Sequence, residues 1–458
     1  MRRMNPYRIG SGAGYSGDRI DPAQDLAERG ELNALVFECL AERTIALAQL
    51  RRSHDPQAGY DPLLAARMRA VLPACARQGV TIISNMGAAN PLAAGHAVLQ
   101  VARELGLPAL LKRPLRVAVV TGDDVLAWMQ ANDAPLMDSD ATVRSLDGQL
   151  ISANAYLGAD ALLPALRSGA DVVITGRVAD PALFLAPLMH HFGWQPDDWQ
   201  RMGQGICVGH LLECAAQVSG GYIADPGQVD IPGLATVGFP LAEVNADGSF
   251  TVTKLAGTGG RVDRLTCTAQ LLYELEDPQN YLQPDVVADF SNVRLREAGP
   301  DRVEVSGATG QARPTHLKAT LGFREGFIGE GQISYAGPGA RARGELALAV
   351  LEHRLKTLGL DHLEHRAELI GVNAMHGPFT SSRGAAHEPY EVRLRLALRA
   401  PTRALAEQAG LEVEALYLNG PAAGGGVSQG VREVVAAASA LIPREAVPTE
   451  CHILELAP

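Results

Sequence analysis

Several large protein classes are excluded by what this chain lacks. No stretch reaches eighteen consecutive apolar residues, so a membrane-spanning helix is not expected. The N-terminus, MRRMNPYRIG, has two arginines but no apolar segment behind them, so no secretory signal is expected and the chain is expected to stay in the cytoplasm. The six cysteines, at 39, 75, 207, 214, 267 and 451, form no CxxC pair. That removes zinc-ribbon and thioredoxin readings and leaves buried thiols in a reducing compartment. HExxH and a Walker lysine loop are missing, and no serine-hydrolase elbow is expected, so zincin, P-loop and triad chemistries are disfavoured. Positive charge is also short: the formal net charge is −11, a field that repels phosphate backbones and argues against nucleic acid as a partner.

What remains is a chain of 458 residues with ordinary globular composition, 47% apolar and 20% charged, long enough for two or three domains. The first part reads as alternating strands and helices. Strands are expected at 7–11, 34–38, 80–84, 116–121 and 171–175. Helices are expected at 22–29, 42–52, 63–78, 91–105, 161–168 and 181–192. Asp21 reads as the N-cap of the first helix, Asn90 and Asp180 as caps of later ones, and Gly79 as a stop. Such alternation indicates a mostly parallel sheet with helical cover. Beyond residue 235 the style changes. Asn245-Ala-Asp-Gly248 between two apolar strands is a hairpin signal. Strands and helices expected at 331–335, 340–358, 368–373, 391–398, 402–408 and 413–418 follow a β-α-β-β-α-β, ferredoxin-like order. The expected organisation is an α/β domain over 1–235, with glycine-rich ligand loops, and an α+β domain over 236–458. The latter is hairpin-rich over 236–328 and βαββαβ-like over 329–458.

The candidate chemistry sits in loops that follow strands, where ligands gather in parallel α/β folds. Gly12-Ala-Gly14-Tyr-Ser-Gly17 matches G-x-G-x-x-G, and Glu38 stands where a ribose-binding acid would lie. Yet five residues, 18–22, intervene before the helix, which fits a glycine-lined substrate loop with Asp18 and Arg19 at its rim better than a dinucleotide loop. Glu42 and Arg43 read either as an acid/base with an anion anchor or as an ordinary helix start. Asn85 and Asn90 flank Gly87 in a loop that offers amide donors, or a plain capped turn. Arg177 on a buried strand end is the strongest single binding candidate, and Asp180 beside it is either a cap or a base. His210 and Glu213, three apart on a helix, read as an acid/base pair or a satisfied helix contact. Lys254 with Gly259 and Arg261 reads as an anion cradle or a β-turn. His376 and His387 are isolated and read as structural.

Taken together these loops resemble the acyclic terpene utilisation protein A family. The resemblance rests on Gly10–Arg19, Leu35–Thr44, Ser84–Pro91, Ile174–Pro181, Gly209–Cys214, Lys254–Arg261, Tyr281–Phe290 and Ile333–Gly339. Cys39 and Met86 depart from its pattern. The resemblance implies a role in breakdown of acyclic terpenoids through acyl-CoA intermediates. The leading expectation is a hydratase, lyase or isomerase acting on a small carboxylate or acyl-CoA by proton abstraction next to a carbonyl. Arg19, Arg177 and Arg261 would hold the anion, Glu42 or Asp180 would be the base, and His210 or Lys254 the proton donor. Rival expectations are a non-catalytic acyl-CoA-binding or partner subunit and an NAD-dependent enzyme. A homo-oligomer, with a small partner protein as a further option, is expected. The sequence names no cofactor or metal.

Overall fold

The computed structural model describes residues 5–146, 148–377 and 388–458; His387 and the first four residues, with both N-terminal arginines, lie outside them. The chain divides into two compact units, Met1–Gly322 with Ala437–Pro458, and Phe323–Ala436.

In the first unit, short β-branched runs form strands and the segments between them form helices. The first eight strands are β1 (Tyr7–Ala13), β2 (Ala34–Phe37), β3 (Thr81–Ser84), β4 (Leu115–Thr121), β5 (Leu150–Ala155), β6 (Val172–Thr175), β7 (Pro240–Val244) and β8 (Phe250–Lys254). Five of them run parallel side by side in the order β1-β2-β3-β6-β4. Their runs ALVF, TIIS and VVIT are buried almost throughout, as strands covered on both faces must be. The helices Leu64–Gln78 and Pro91–Glu104 supply Met68, Val71, Leu72 and Val98 to one core cluster. The helix Ala182–Phe192 is buried from Ala182 through Met189, which explains its unbroken apolar sequence.

Antiparallel strands close both flanks, giving ten strands among the described residues. β7 pairs with β1, and β8, Arg302–Ser306 and Arg294–Gly299 extend that side. Glu450–Leu456 pairs with β4 on the other. The hairpin does turn at Asn245–Gly248, with Gly248 at φ +90°. It extends the first sheet rather than opening a second domain near 235, because the outer edge of β1 offers backbone donors and acceptors that need partners.

The second unit follows the order strand, helix, strand, strand, helix, strand. The chain enters along His316–Ala336, passes through Ala340–Thr357, His365–Ile370, Glu391–Ala400 and Arg403–Asn419, and leaves along Gly425–Pro443. Glu391–Ala400 alternates as expected, with Val392, Leu394, Leu396, Leu398 and Ala400 buried. Val413–Leu418 is not a strand. Ala406, Ala409, Val413 and Leu416 recur every three or four residues and bury one stripe of a single long helix. Gly426-Val-Ser-Gln-Gly430 fits the letters G-x-S-x-G, but it lies inside the strand Gly425–Pro443 and not at a strand-to-helix turn.

Four cap and stop readings can be checked. Asn90 caps its helix through Ala93 N, and Gly79 ends its helix at φ +72°. Asp21 is instead the first helical residue, with its carboxylate on Arg19. Asp180 caps nothing: the helix after it begins at Ala182 without a side-chain cap.

Candidate active site

Because the central strands are parallel, the loops after β1, β2, β3, β4 and β6 all emerge on one edge of the sheet. There the loops after β1, β2 and β6 border a cavity of about 730 Å³. Gly14, Glu38, Glu42, Arg177 and Asp180 line it from these loops; Tyr156, Glu213 and Lys318 come from elsewhere in the same unit. Met137, Leu282, Pro284, Pro314, Leu317 and Leu441 add apolar surface to the lining. A lining that mixes charged groups with apolar side chains suits a ligand that carries both a polar group and an apolar part.

Arg177 is the centre of the charged groups. It is 1% exposed, held by its own backbone N–H, which donates to Asp123 Oδ2 at 2.9 Å. Its guanidinium lies 4.0 Å from the ring centroid of Tyr156, a cation–π contact. Nη1 is 3.3 Å from Asp180 Oδ1. Nε and Nη1 nevertheless make no hydrogen bond. A buried guanidinium with unspent donors is costly, and an oxygen ligand in the cavity would satisfy it.

The carboxyl groups around Arg177 differ sharply. Burial alone would raise the Glu42 pKa, but the Arg177 charge, the Tyr156 hydroxyl that donates to it, and Lys318, 3.2 Å away, bring it down to about 2. Asp180 goes the other way. Burial of its carboxyl, reinforced by the charges of Glu38, Glu213 and Glu42, outweighs Arg177 and lifts it well above the usual carboxylate range. Glu38 is also raised, chiefly by burial. Its Oε1 accepts from Leu40 N at 2.7 Å and from Asn85 Nδ2 at 3.0 Å, so Asn85 acts by fixing Glu38. The site therefore sets a carboxylate held ionised and a carboxyl with a raised proton affinity beside one arginine, the pattern of acid/base sites. Burial pushes the Cys214 thiol up, so it stays protonated and is a poor nucleophile. Among the described residues no group of three or more His, Cys, Asp or Glu is arranged to hold a metal ion.

The glycines of the first loop serve packing. A Cβ on Gly12 would come within 2.6 Å of the Phe37 ring, and one on Gly14 within 2.5 Å of the Cys214 carbonyl carbon. Gly14 N donates to Asp18 Oδ2 at 3.0 Å, so this amide is already used. The fully buried Arg67, unremarked in the sequence, donates to the carbonyls of Tyr15, Ser16 and Asp18 and so fixes the loop. Its Nη1 also lies 3.3 Å from Cys39 Sγ and 3.8 Å from Met86 Sδ, so the two positions that depart from the family pattern meet on one guanidinium.

Other candidates do not line the cavity. Arg19 is spent on Asp21 and the Ala235 carbonyl. Arg43 is exposed on its helix, and Asn90 is a cap. Lys254 donates to Thr258 O at 2.9 Å and pairs with Asp301; Arg261 pairs with Asp263. Gly259 packs on Gly233, whose oxygen a Cβ would approach to 1.9 Å. His210 is buried behind Glu213. Tyr156 and Lys318 gave no sequence signal: each sits in a segment without a motif and reaches the site through the fold.

Fold and site define an α/β protein with one arginine set among carboxyl groups at the carboxyl edge of a parallel sheet. A family model described as acyclic terpene utilisation family protein AtuA matches residues 7–453, and the chain belongs to that family. No curated protein and no solved structure matches it. The family carries a role in acyclic terpene utilisation. No helix among the described residues is long and apolar enough to cross a membrane.

Proposed function

We propose that the chain is a catabolic enzyme that moves protons next to the carbonyl of a small carboxylate or acyl-CoA. The chemistry is of the hydratase, lyase or isomerase kind, within breakdown of acyclic terpenoids. Arg177 receives the carbonyl or carboxylate oxygen on its unspent donors. Asp180, whose burial makes it hold its proton more tightly than an ordinary carboxyl, gives a proton to a leaving hydroxyl or to a carbon, and as a carboxylate takes one back. Glu42 stays ionised, balances Arg177 and Lys318, and fixes the Tyr156 hydroxyl. The observation that supports this reading best is the buried Arg177 with free donors beside a carboxyl of raised proton affinity.

The test is a panel of short and branched acyl-CoAs and free carboxylates, incubated with the purified protein in D2O. Mass spectrometry would follow deuterium uptake next to the carbonyl together with net hydration, dehydration or isomerisation. Asp180→Asn is expected to lower net conversion by about 10²–10⁴-fold, the usual worth of general acid/base help. Neither exchange nor conversion on any member of the panel would remove the reading.

A further inference from the structure

The buried pair formed by His210 and Glu213 has no part in the scheme above. His210 lies in the last turn of the helix Trp199–Leu212, and Glu213 is its C-cap residue. His210 Nε2 is 3.1 Å from the Leu271 carbonyl oxygen, and Nδ1 is 3.1 Å from Glu213 Oε1. A carbonyl oxygen only accepts, so Nε2 carries the hydrogen. Nδ1 and Oε1 then face each other at hydrogen-bond distance, where two bare lone pairs would repel. One proton must lie between them, either as imidazolium with carboxylate or as imidazole with carboxyl. Gln270 Nε2 donates to the His210 carbonyl at 2.8 Å, and the Tyr281 ring packs edge-on against the imidazole, so the ring has no freedom to turn away. The second carboxyl oxygen, Oε2 of Glu213, is buried without a hydrogen-bond partner, and Glu213 lines the cavity.

We infer that Glu213 is a second proton-transfer group of this cavity, held in place by His210, and that it removes the proton from the carbon next to the substrate carbonyl. The inference rests on the proposed function. In the step, the C–H bond breaks and its proton goes to Glu213 Oε2. The C–H electron pair forms the carbon–carbon π bond, and the carbonyl π pair moves onto oxygen, where the Arg177 donors meet it. In an elimination the carbonyl re-forms, the enolate carbon–carbon pair becomes the α,β double bond, the bond to the β-hydroxyl breaks with its electrons on oxygen, and the Asp180 proton completes a water molecule. Glu213 then returns its proton to solvent, and Asp180 takes one up. His210 touches no substrate and is a positioning residue.

The groups that face the pair are Glu38 at the end of β2, Asp180 after β6, and Cys214, Glu274 and Tyr281. Burial by itself would lower the His210 pKa, but the hydrogen bond and charge of Glu213 more than offset it and raise it above the usual value.

Two measurements test this. In the wild-type protein, ¹⁵N-histidine NMR, assigned by difference from His210→Gln, should show a hydrogen on Nε2 of His210 and a proton on its Nδ1 that is lost in Glu213→Gln at neutral pH. A bare Nε2 overturns the inference. In the D2O assay, Glu213→Gln should slow deuterium uptake next to the carbonyl by at least about 100-fold. His210→Gln should lower the kcat of exchange with little change in KM, because Glu213 loses the contact that aims it, a split that a purely packing role would not produce. Exchange kept by Glu213→Gln removes this inference alone, whereas no exchange by the wild type removes both it and the function on which it rests.

Discussion

Replacing Arg177 by methionine isolates what one buried guanidinium does for the fold. Methionine keeps much of the apolar length and deletes the charge. Losing one partner of a buried pair costs about 3–5 kcal/mol in general, and a desolvated cation–π contact such as that on Tyr156 about 2 kcal/mol or less. The loss is softened here, because burial already raises the Asp180 pKa, so a proton can neutralise the carboxyl left behind. Glu42 is 42% exposed at its side chain, so solvent screens its share. The expected net loss is about 2–4 kcal/mol at pH 8. The pH dependence has a definite sign. In the wild type the Glu42 pKa is depressed to about 2, so its contribution is complete above 4.5 and fades as pH falls toward 2. In Arg177→Met, Glu38 and Asp180 lose the charge that lowers their pKa values, which rise further, so the folded variant gains protons that the unfolded chain lacks and loses stability as pH rises. The gap between the two proteins must therefore widen from pH 5 to pH 8. Urea unfolding followed by tryptophan fluorescence reads it cleanly, since Trp128, Trp194 and Trp199 all lie in the first unit. A gap below about 1 kcal/mol, or one that stays constant with pH, would refute the reasoning.

Two structural predictions follow from single contacts. Gly14→Ala pushes a methyl into the Cys214 backbone, which cannot swing aside as a side chain could; overpacking of this kind costs about 1–3 kcal/mol, seen as a lower unfolding midpoint. Asn90→Ala removes the cap on Ala93 N and two donations to the carbonyls of Pro56 and Ala58, for about 1–2 kcal/mol, while Asn90→Asp keeps the cap and recovers part of it.

The parallel core was legible because its strands are short, β-branched and separated by amphipathic helices. Each expected strand from Tyr7 to Thr175 lies within about two residues of its place in the structure. Loops at strand ends were legible for the same reason: once the strands are parallel, Glu42, Arg177 and Asp180 must share an edge. What sequence could not give was the use of each polar group. Lys254 and Arg261 look like an anion cradle in isolation, yet their charges are taken by Asp301 and Asp263, a pairing that depends on long-range packing. Tyr156 follows β5, a strand with no punctuating motif, and Lys318 lies 276 residues from the Glu42 carboxylate it meets. The long helix Arg403–Asn419 reads as shorter in the sequence because its apolar periodicity is diluted by small residues, Ala406, Ala409 and Gly410 among those it buries.

The order of strands along the ten-stranded sheet bears on how the chain is made. β4 receives its outer neighbour, Glu450–Leu456, only from the last stretch of the sequence. The second unit, by contrast, is one unbroken segment, Phe323–Ala436. During synthesis that segment can fold as soon as it leaves the ribosome, while the open side of β4 must wait, unpaired, for more than 300 residues of further chain, roughly fifteen seconds or more at ordinary rates of elongation. A newborn chain is therefore most exposed to mispairing at Leu115–Thr121, an apolar edge that the finished protein keeps covered.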